Sequence, residues 1–157
     1  MEREIKIKLA DVKAMRVKLK SIGAQPLGSS QLSNEYFDLP DRRLTEGHEL
    51  LRLRNNELLT YKRRIPDDDA QLCEELEAQV KGDIKGILIK LGFEMFHTTK
   101  RNRESYLLDD VKIELDRTNV GDFLEIEGRQ EKIDETASKL GFSKADHIKK
   151  TYTQMGE

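Results

Sequence analysis

The chain has 157 residues, which suits one domain with one hydrophobic core, residues 1–157. Its 28 basic and 30 acidic residues leave a formal net charge of -2, so no bulk field draws nucleic acid or an anionic membrane, and any anion site has to be local. One cysteine, Cys73, excludes an internal disulfide and a multi-cysteine zinc motif, and no apolar run approaches the roughly 18 residues of a membrane span. The opening Met-Glu-Arg-Glu-Ile-Lys lacks the apolar stretch of a signal peptide, so a soluble, cytoplasmic protein is expected.

In chain order, Glu2 to Leu9 alternates, with Glu2, Glu4, Lys6 and Lys8 on one face and Arg3, Ile5, Ile7 and Leu9 on the other, which predicts a strand. Asp11 then caps a predicted helix with the stripe Val12, Met15, Leu19 and Ile22, ended by Gly23. Leu51 to Arg54 and Leu59 to Lys62 alternate on either side of Asn55-Asn56 and predict a hairpin. The segment Ile65-Pro66-Asp67-Asp68-Asp69 reads as a loop.

The strand-then-helix unit recurs at Cys73 to Glu77, followed by the stripe Val80, Ile84, Ile87, Leu88 and Leu91 and by Gly92. It recurs again at Phe123 to Glu127, followed by Ile133, Ala137 and Leu140 and by Gly141. Each of the three strands carries a Glu-x-Glu pair: Glu2/Glu4, Glu75/Glu77 and Glu125/Glu127. Between the last two units, Met95 to Leu107 and Val111 to Asp116 predict a second hairpin turning at Asp109-Asp110. About seven or eight strands and three or four helices result, an α+β chain.

Most of these strands pair an apolar face with a face of mixed charge at period two, which spaces same-face side chains about 6 to 7 Å apart. One solvated sheet face explains any single strand. Recurrence in so many strands favours a closed antiparallel β-barrel with apolar faces outward under helices and a charged lumen. Arg52, Arg54, Lys62, Arg101, Arg103 and Lys6 are cations suited to phosphate, and Glu2, Glu4, Glu125, Glu127 and Asp116 are hard oxygen donors suited to Mg²⁺ or Mn²⁺. Neither G-x-x-x-x-G-K nor G-x-G-x-x-G occurs, so side chains rather than a glycine-rich loop must hold phosphate. His48, His97 and His147 share no metal-ligand spacing.

Glu2-Arg3-Glu4-Ile5-Lys6 resembles the E-x-E-x-K signature that opens CYTH domains, the triphosphate tunnel family of class IV adenylyl cyclases and thiamine triphosphatases. L-R-L-R at Leu51 to Arg54, L-T-Y-K at Leu59 to Lys62, R-N-R at Arg101 to Arg103, I-E-L-D at Ile113 to Asp116, G-D-F-L-E-I-E-G at Gly121 to Gly128 and a closing Lys150-Thr151-Tyr152 follow in the same order. The resemblance spans nearly the whole chain. It implies an eight-stranded barrel, metal at Glu2, Glu4, Glu125 and Glu127, and triphosphate on Arg52, Arg54, Lys62, Arg101 and Arg103. Asp116 would sit near the metal or orient a basic partner, and Lys6 would clamp phosphate or act as a base. Cys73 stands where the family often has Arg just before the central Glu pair, which leaves open whether Glu75 and Glu77 belong to the implied site.

The expected activity is metal-dependent cleavage of a triphosphate such as ATP, thiamine triphosphate or tripolyphosphate, ranked above cyclisation of ATP to cyclic AMP. A non-catalytic polyphosphate binder and a scaffold of internally paired charges are the rivals. Neither nucleic acid nor membrane is an expected partner, and the oligomeric state, a homodimer included, is open.

Overall fold

A computed structural model describes residues 2–65 and 71–157. The elements run β1 (Glu2–Leu9), α1 (Val12–Ser21), β2 (Gln25–Asp38), α2 (Arg43–Glu46), β3 (Glu49–Arg54), β4 (Leu58–Ile65), β5 (Gln71–Gln79), α3 (Ile84–Lys90), β6 (Glu94–Leu108), β7 (Val111–Thr118), β8 (Gly121–Glu127) and α4 (Gln130–Lys139). The eight strands are hydrogen-bonded in a closed ring in the order β1-β5-β4-β3-β2-β6-β7-β8, the α+β architecture expected from the charged and apolar faces. Of the predicted loop, residues 66–69 lie outside the described residues, and Ile65 closes β4.

The chain falls into two compact units. The larger holds residues 2–31, 71 and 101–157, with β1, β7 and β8 as its ladder. Register places Glu4 opposite Glu127, Lys6 opposite Glu125 and Lys112 opposite Glu127, so the even positions of β1 and β7 share a face with the odd positions of β8. The opposite face carries Ile5, Ile7, Ile113, Leu115, Leu124 and Ile126, and packs with Met15 and Leu19 of α1 and with Ile133 and Ala137 of α4. Asp11 caps α1 by accepting from the Ala14 N–H, and Gly23 follows it at φ +84, a left-handed residue that costs little without a Cβ. One polar pair crosses this apolar face: Arg16 of α1 donates through Nε and Nη2 to both carboxylate oxygens of Glu104 on β6, the shortest contact 2.5 Å.

The smaller unit holds residues 32–65 and 72–100, with β3, β4 and β5 as its antiparallel meander. Asn55 and Asn56, at φ 52 and 57, take both left-handed positions of the predicted hairpin turn. Its core is Phe37, Leu53 and Leu88, with Leu51, Leu59, Val80, Ile84 and Phe93 against them. The predicted helical stripe is only half right here. Ile84 and Leu88 face this core, but Val80 precedes the helix, and Ile87 and Leu91 are exposed at 56% and 68%. Gly82 and Asp83 start the helix four residues later than the stripe suggested, and seven residues give two turns, too short to bury five positions.

Two elements carried no sequence signal. β2 is 14 residues long, yet Gly28-Ser29-Ser30-Gln31 has no alternation, Leu27 is exposed, and its buried positions begin only at Leu32. The four-residue α2 is too short for a period and is built by Asp38, whose carboxylate accepts from the Leu39, Leu44 and Thr45 N–H groups and from the Thr45 hydroxyl. Burial alone would raise the Asp38 pKa, but those hydrogen bonds outweigh it and hold it below the usual carboxylate value.

Candidate functional site

In the larger unit the charged face is an interlocked set of side chains. Arg103 on β6 stands opposite Asp116 on β7. Its Nε donates to Asp116 Oδ1 at 2.6 Å, its Nη2 to Asp116 Oδ2 at 2.5 Å and to Glu125 Oε2 at 2.8 Å, and its Nη1 pairs with Glu114. Burial works against the Arg103 charge, but the Asp116 hydrogen bonds and the charges of Glu125, Asp116 and Glu114 hold its pKa well above the usual value. Arg101 reaches Asp116 Oδ2 at 3.4 Å and Glu157 Oε1 at 2.9 Å. Lys6 Nζ lies 3.4 Å from Glu125 Oε1.

Tyr152 joins these groups. Its hydroxyl donates to Asp116 Oδ2 at 3.0 Å, Lys6 Nζ sits 3.9 Å from its ring centroid, Arg101 Cζ 4.2 Å, and Phe123 meets its edge. Burial, then the charges of Glu125 and Asp116, push the phenol far above its ordinary pKa, so it remains a neutral donor. Asp116 therefore accepts from Arg101, Arg103 and Tyr152 at once.

Carboxylates dominate the other end of the same face. Glu127 is pushed up to about 7, first by burial and then by the charge of Glu2, partly offset by Lys112, with Glu114 and Glu4 adding repulsion. Glu2, Glu4 and Glu127 are hard oxygen donors whose mutual repulsion a divalent cation would relieve, so the donor set fits Mg²⁺ or Mn²⁺ in its chemistry. Among the described residues no three such groups converge on one point as their side chains stand. Glu125 differs from Glu127, since Arg103 and Lys6 both engage it.

The smaller unit carries the remaining predicted cations on one face of β3 and β4. Arg52 stands opposite Thr60, which stands opposite Glu77, and Lys62 stands opposite Glu75. Arg52 Nη2 donates to Thr60 Oγ1 at 3.1 Å, Thr60 donates on to Glu77 Oε1 at 3.1 Å, and Lys62 Nζ meets Glu75 Oε2 at 3.2 Å. Burial would raise the Glu75 pKa, but Lys62, Glu77 and Arg52 bring it below the ordinary value. Glu75 and Glu77 thus share a face with the cations that they hold. The Nε of Arg52 is buried and has no acceptor among the described residues. Arg54 Nε is held by the buried Asn34.

The CYTH domain pattern matches residues 1–152 of the chain. The chain belongs to the CYTH domain family. A Methanocaldococcus jannaschii protein bearing the name "Putative adenylate cyclase" is 29% identical to this CYTH domain over 99% of the chain and 98% of its own length. A solved Pyrococcus horikoshii protein is 30% identical with a TM-score of 0.82, covering 99% of each chain. The structure of a Hippeastrum protein named "Putative adenylyl cyclase" and described as revealing a dominant triphosphatase activity shares the fold at a TM-score of 0.73 and 19% identity, over 98% of this chain and 93% of that one.

Several members of these clusters had no motif to announce them. Glu114 lies between Lys112 and Asp116 at period two, so its face was legible although its role was not. Asn34 and Thr60 are neutral, and Glu157 lies far in sequence from the Arg101 that it meets. No helix of the described residues is long and apolar enough to cross a membrane. Cys73 is buried, with its sulfur as a thiol.

Proposed function

We propose that this CYTH domain is a divalent-metal-dependent enzyme that binds a triphosphate compound and cleaves a phosphoanhydride. The observation that carries the reading is the buried Arg52 Nε–H without an acceptor among the described residues, on a strand face that also presents Arg54 and Lys62. An unsatisfied buried guanidinium donor costs about 1 to 3 kcal/mol, and a phosphate oxygen supplies the missing acceptor with matching geometry.

Arg52, Arg54, Lys62, Arg101 and Arg103 are assigned to the phosphates, and Lys6 to a phosphate clamp. Glu2, Glu4, Glu125 and Glu127 are assigned to Mg²⁺ or Mn²⁺, which when bound would draw charge from phosphate oxygens and polarise the bond that breaks. Asp116 takes a positioning role through Arg101, Arg103 and Tyr152. In hydrolysis, water adds at the terminal phosphorus, the bridging P–O bond breaks, and orthophosphate leaves beside a diphosphate. Hydrolysis needs only the phosphates to be held, whereas cyclisation also needs the ribose 3′-hydroxyl aligned on the α-phosphorus, so hydrolysis is the reading put first. The name carried by the M. jannaschii relative supports the second reading, an adenylate cyclase.

Incubation with ATP, thiamine triphosphate and tripolyphosphate under Mg²⁺ or Mn²⁺, with products separated by chromatography, tests the proposal. Orthophosphate with a diphosphate is expected. Cyclic AMP with pyrophosphate would establish the cyclase instead, and tight binding without turnover would establish a binder.

A further inference from the structure

Two buried nitrogens on the charged face of the smaller unit have no hydrogen-bond partner among the described residues: Arg52 Nε on β3 and His97 Nε2 on β6. β2 lies between these strands in the ring. Tyr36 on β2 stands directly opposite Arg52, and its ring centroid is 5.8 Å from that of His97. Two residues along β2, Asn34 stands opposite Arg54, accepts from Arg54 Nε and donates to Thr99 Oγ1 of β6, so Thr99 shares this face. His97 is two residues from Thr99 on the same strand and shares the face with it.

A buried polar nitrogen without a partner is destabilising, and one that a native fold keeps calls for an explanation. Arg52 directs Nη2 to Thr60 and Glu77, and its Nε–H is the donor left unmet. An imidazole with its proton on Nε2 is a second donor of the same kind. Tyr36 and Phe96 both lie against that imidazole, at 5.8 and 6.4 Å between centroids, and limit its rotation. Two donors on one face, with only the neutral Tyr36 between them, suit one ligand rich in acceptor oxygens.

We propose that His97 is a further ligand-binding residue, which donates from Nε2 to an oxygen of the same triphosphate that Arg52 Nε meets. The proposal rests on the reading of Arg52 as a phosphate ligand. β3 and β6 are two ladder spacings apart, roughly 10 Å between backbones, a span that suits a chain of linked phosphates lying across Tyr36. No charged pattern pointed to His97, because an imidazole on a strand has no spacing that marks it; the contact depends on β6 lying beside β2.

The test is calorimetric titration of inorganic tripolyphosphate and of ATP, with and without Mg²⁺, into the full chain and into Arg52→Ala, His97→Phe and His97→Gln, with thermal melts of each. His97→Phe keeps an aromatic ring against Tyr36 and removes the nitrogen. It is expected to weaken tripolyphosphate binding by roughly tenfold or more, while its melting temperature holds or rises because an unmet buried polar atom is gone. His97→Gln places an amide N–H near the lost Nε2–H and is expected to retain most of the affinity. If Arg52→Ala loses affinity while His97→Phe binds like the parent, the role of His97 is overturned and the triphosphate reading stands. A loss confined to ATP, equal losses in His97→Phe and His97→Gln, or weaker binding together with a lower melting temperature in His97→Phe would also overturn that role. If the parent does not bind tripolyphosphate, or Arg52→Ala binds it unchanged, the triphosphate reading is overturned and the role of His97 with it. Should His97→Phe fail to fold, His97→Leu takes its place on the same terms.

Discussion

Arg103 and Asp116 face each other across the β6–β7 ladder as a side-on bidentate pair, Nε on Oδ1 at 2.6 Å and Nη2 on Oδ2 at 2.5 Å, with Asp116 wholly buried. Removing one member of such a pair strands the other charge away from water. Asp116→Ala is expected to cost about 3 to 5 kcal/mol by urea unfolding. Asp116→Asn, which keeps one acceptor for Arg103, should cost less. Equal, small losses in both variants would show that Glu114 and Glu125 alone suffice to hold Arg103.

Glu125 and Glu127 are two residues apart on one strand, but removing their charges should move stability in opposite directions. Glu125 is paired with Arg103 and Lys6, so Glu125→Gln should lower the melting temperature. Glu127 is half-buried and repelled by the charges of Glu2, Glu114 and Glu4, so Glu127→Gln should raise it in chelator-treated protein. Both substitutions should reduce metal-dependent turnover. The sign of the pH effect follows from the raised Glu127 pKa: between the unfolded value of 4.5 and about 7 the folded state holds more protons, so stability falls as pH rises through that window. The loss is on the order of 1 to 2 kcal/mol, because solvent screens a group that is only partly buried, and Mg²⁺ should reduce it. A chelator-treated melt that is flat from pH 4.5 to 7 would refute this.

Tyr152 makes two separable contributions. Tyr152→Phe removes only the hydroxyl that serves Asp116 and is expected to cost about 1 kcal/mol. Tyr152→Ala also removes the ring against Phe123, Lys6 and Arg101, with an expected cost of about 3 to 5 kcal/mol. Chemical denaturation of both variants checks the difference, and similar losses would mean that the ring packing contributes little.

Helix α3 offers a test of its corrected orientation. Leu88→Ala should cost about 2 to 4 kcal/mol because the side chain fills the core around Phe37 and Leu53. Ile87→Gln should change stability by no more than about 0.5 kcal/mol because that side chain is exposed. A large loss for Ile87→Gln would show that its face is covered in solution.

The sequence by itself determined the strands with a strict period and both hairpin turns, because alternation and left-handed asparagines are local properties. β1, β3, β7 and β8 were legible for this reason, as was the turn at Asn55-Asn56. It also determined which side chains share a face, and hence that Lys6, Arg103, Asp116 and Glu125 would stand together. Only the tertiary structure decided who holds whom. That Asp116 serves Arg101, Arg103 and Tyr152 depends on strand register and on the return of the C-terminal segment, 36 residues away in sequence. That Asn34 holds Arg54 depends on β2, a strand whose polar first half has no period to reveal it. The side chain that a buried charge finds is set by its neighbours across the ladder, and register is a property of the folded sheet.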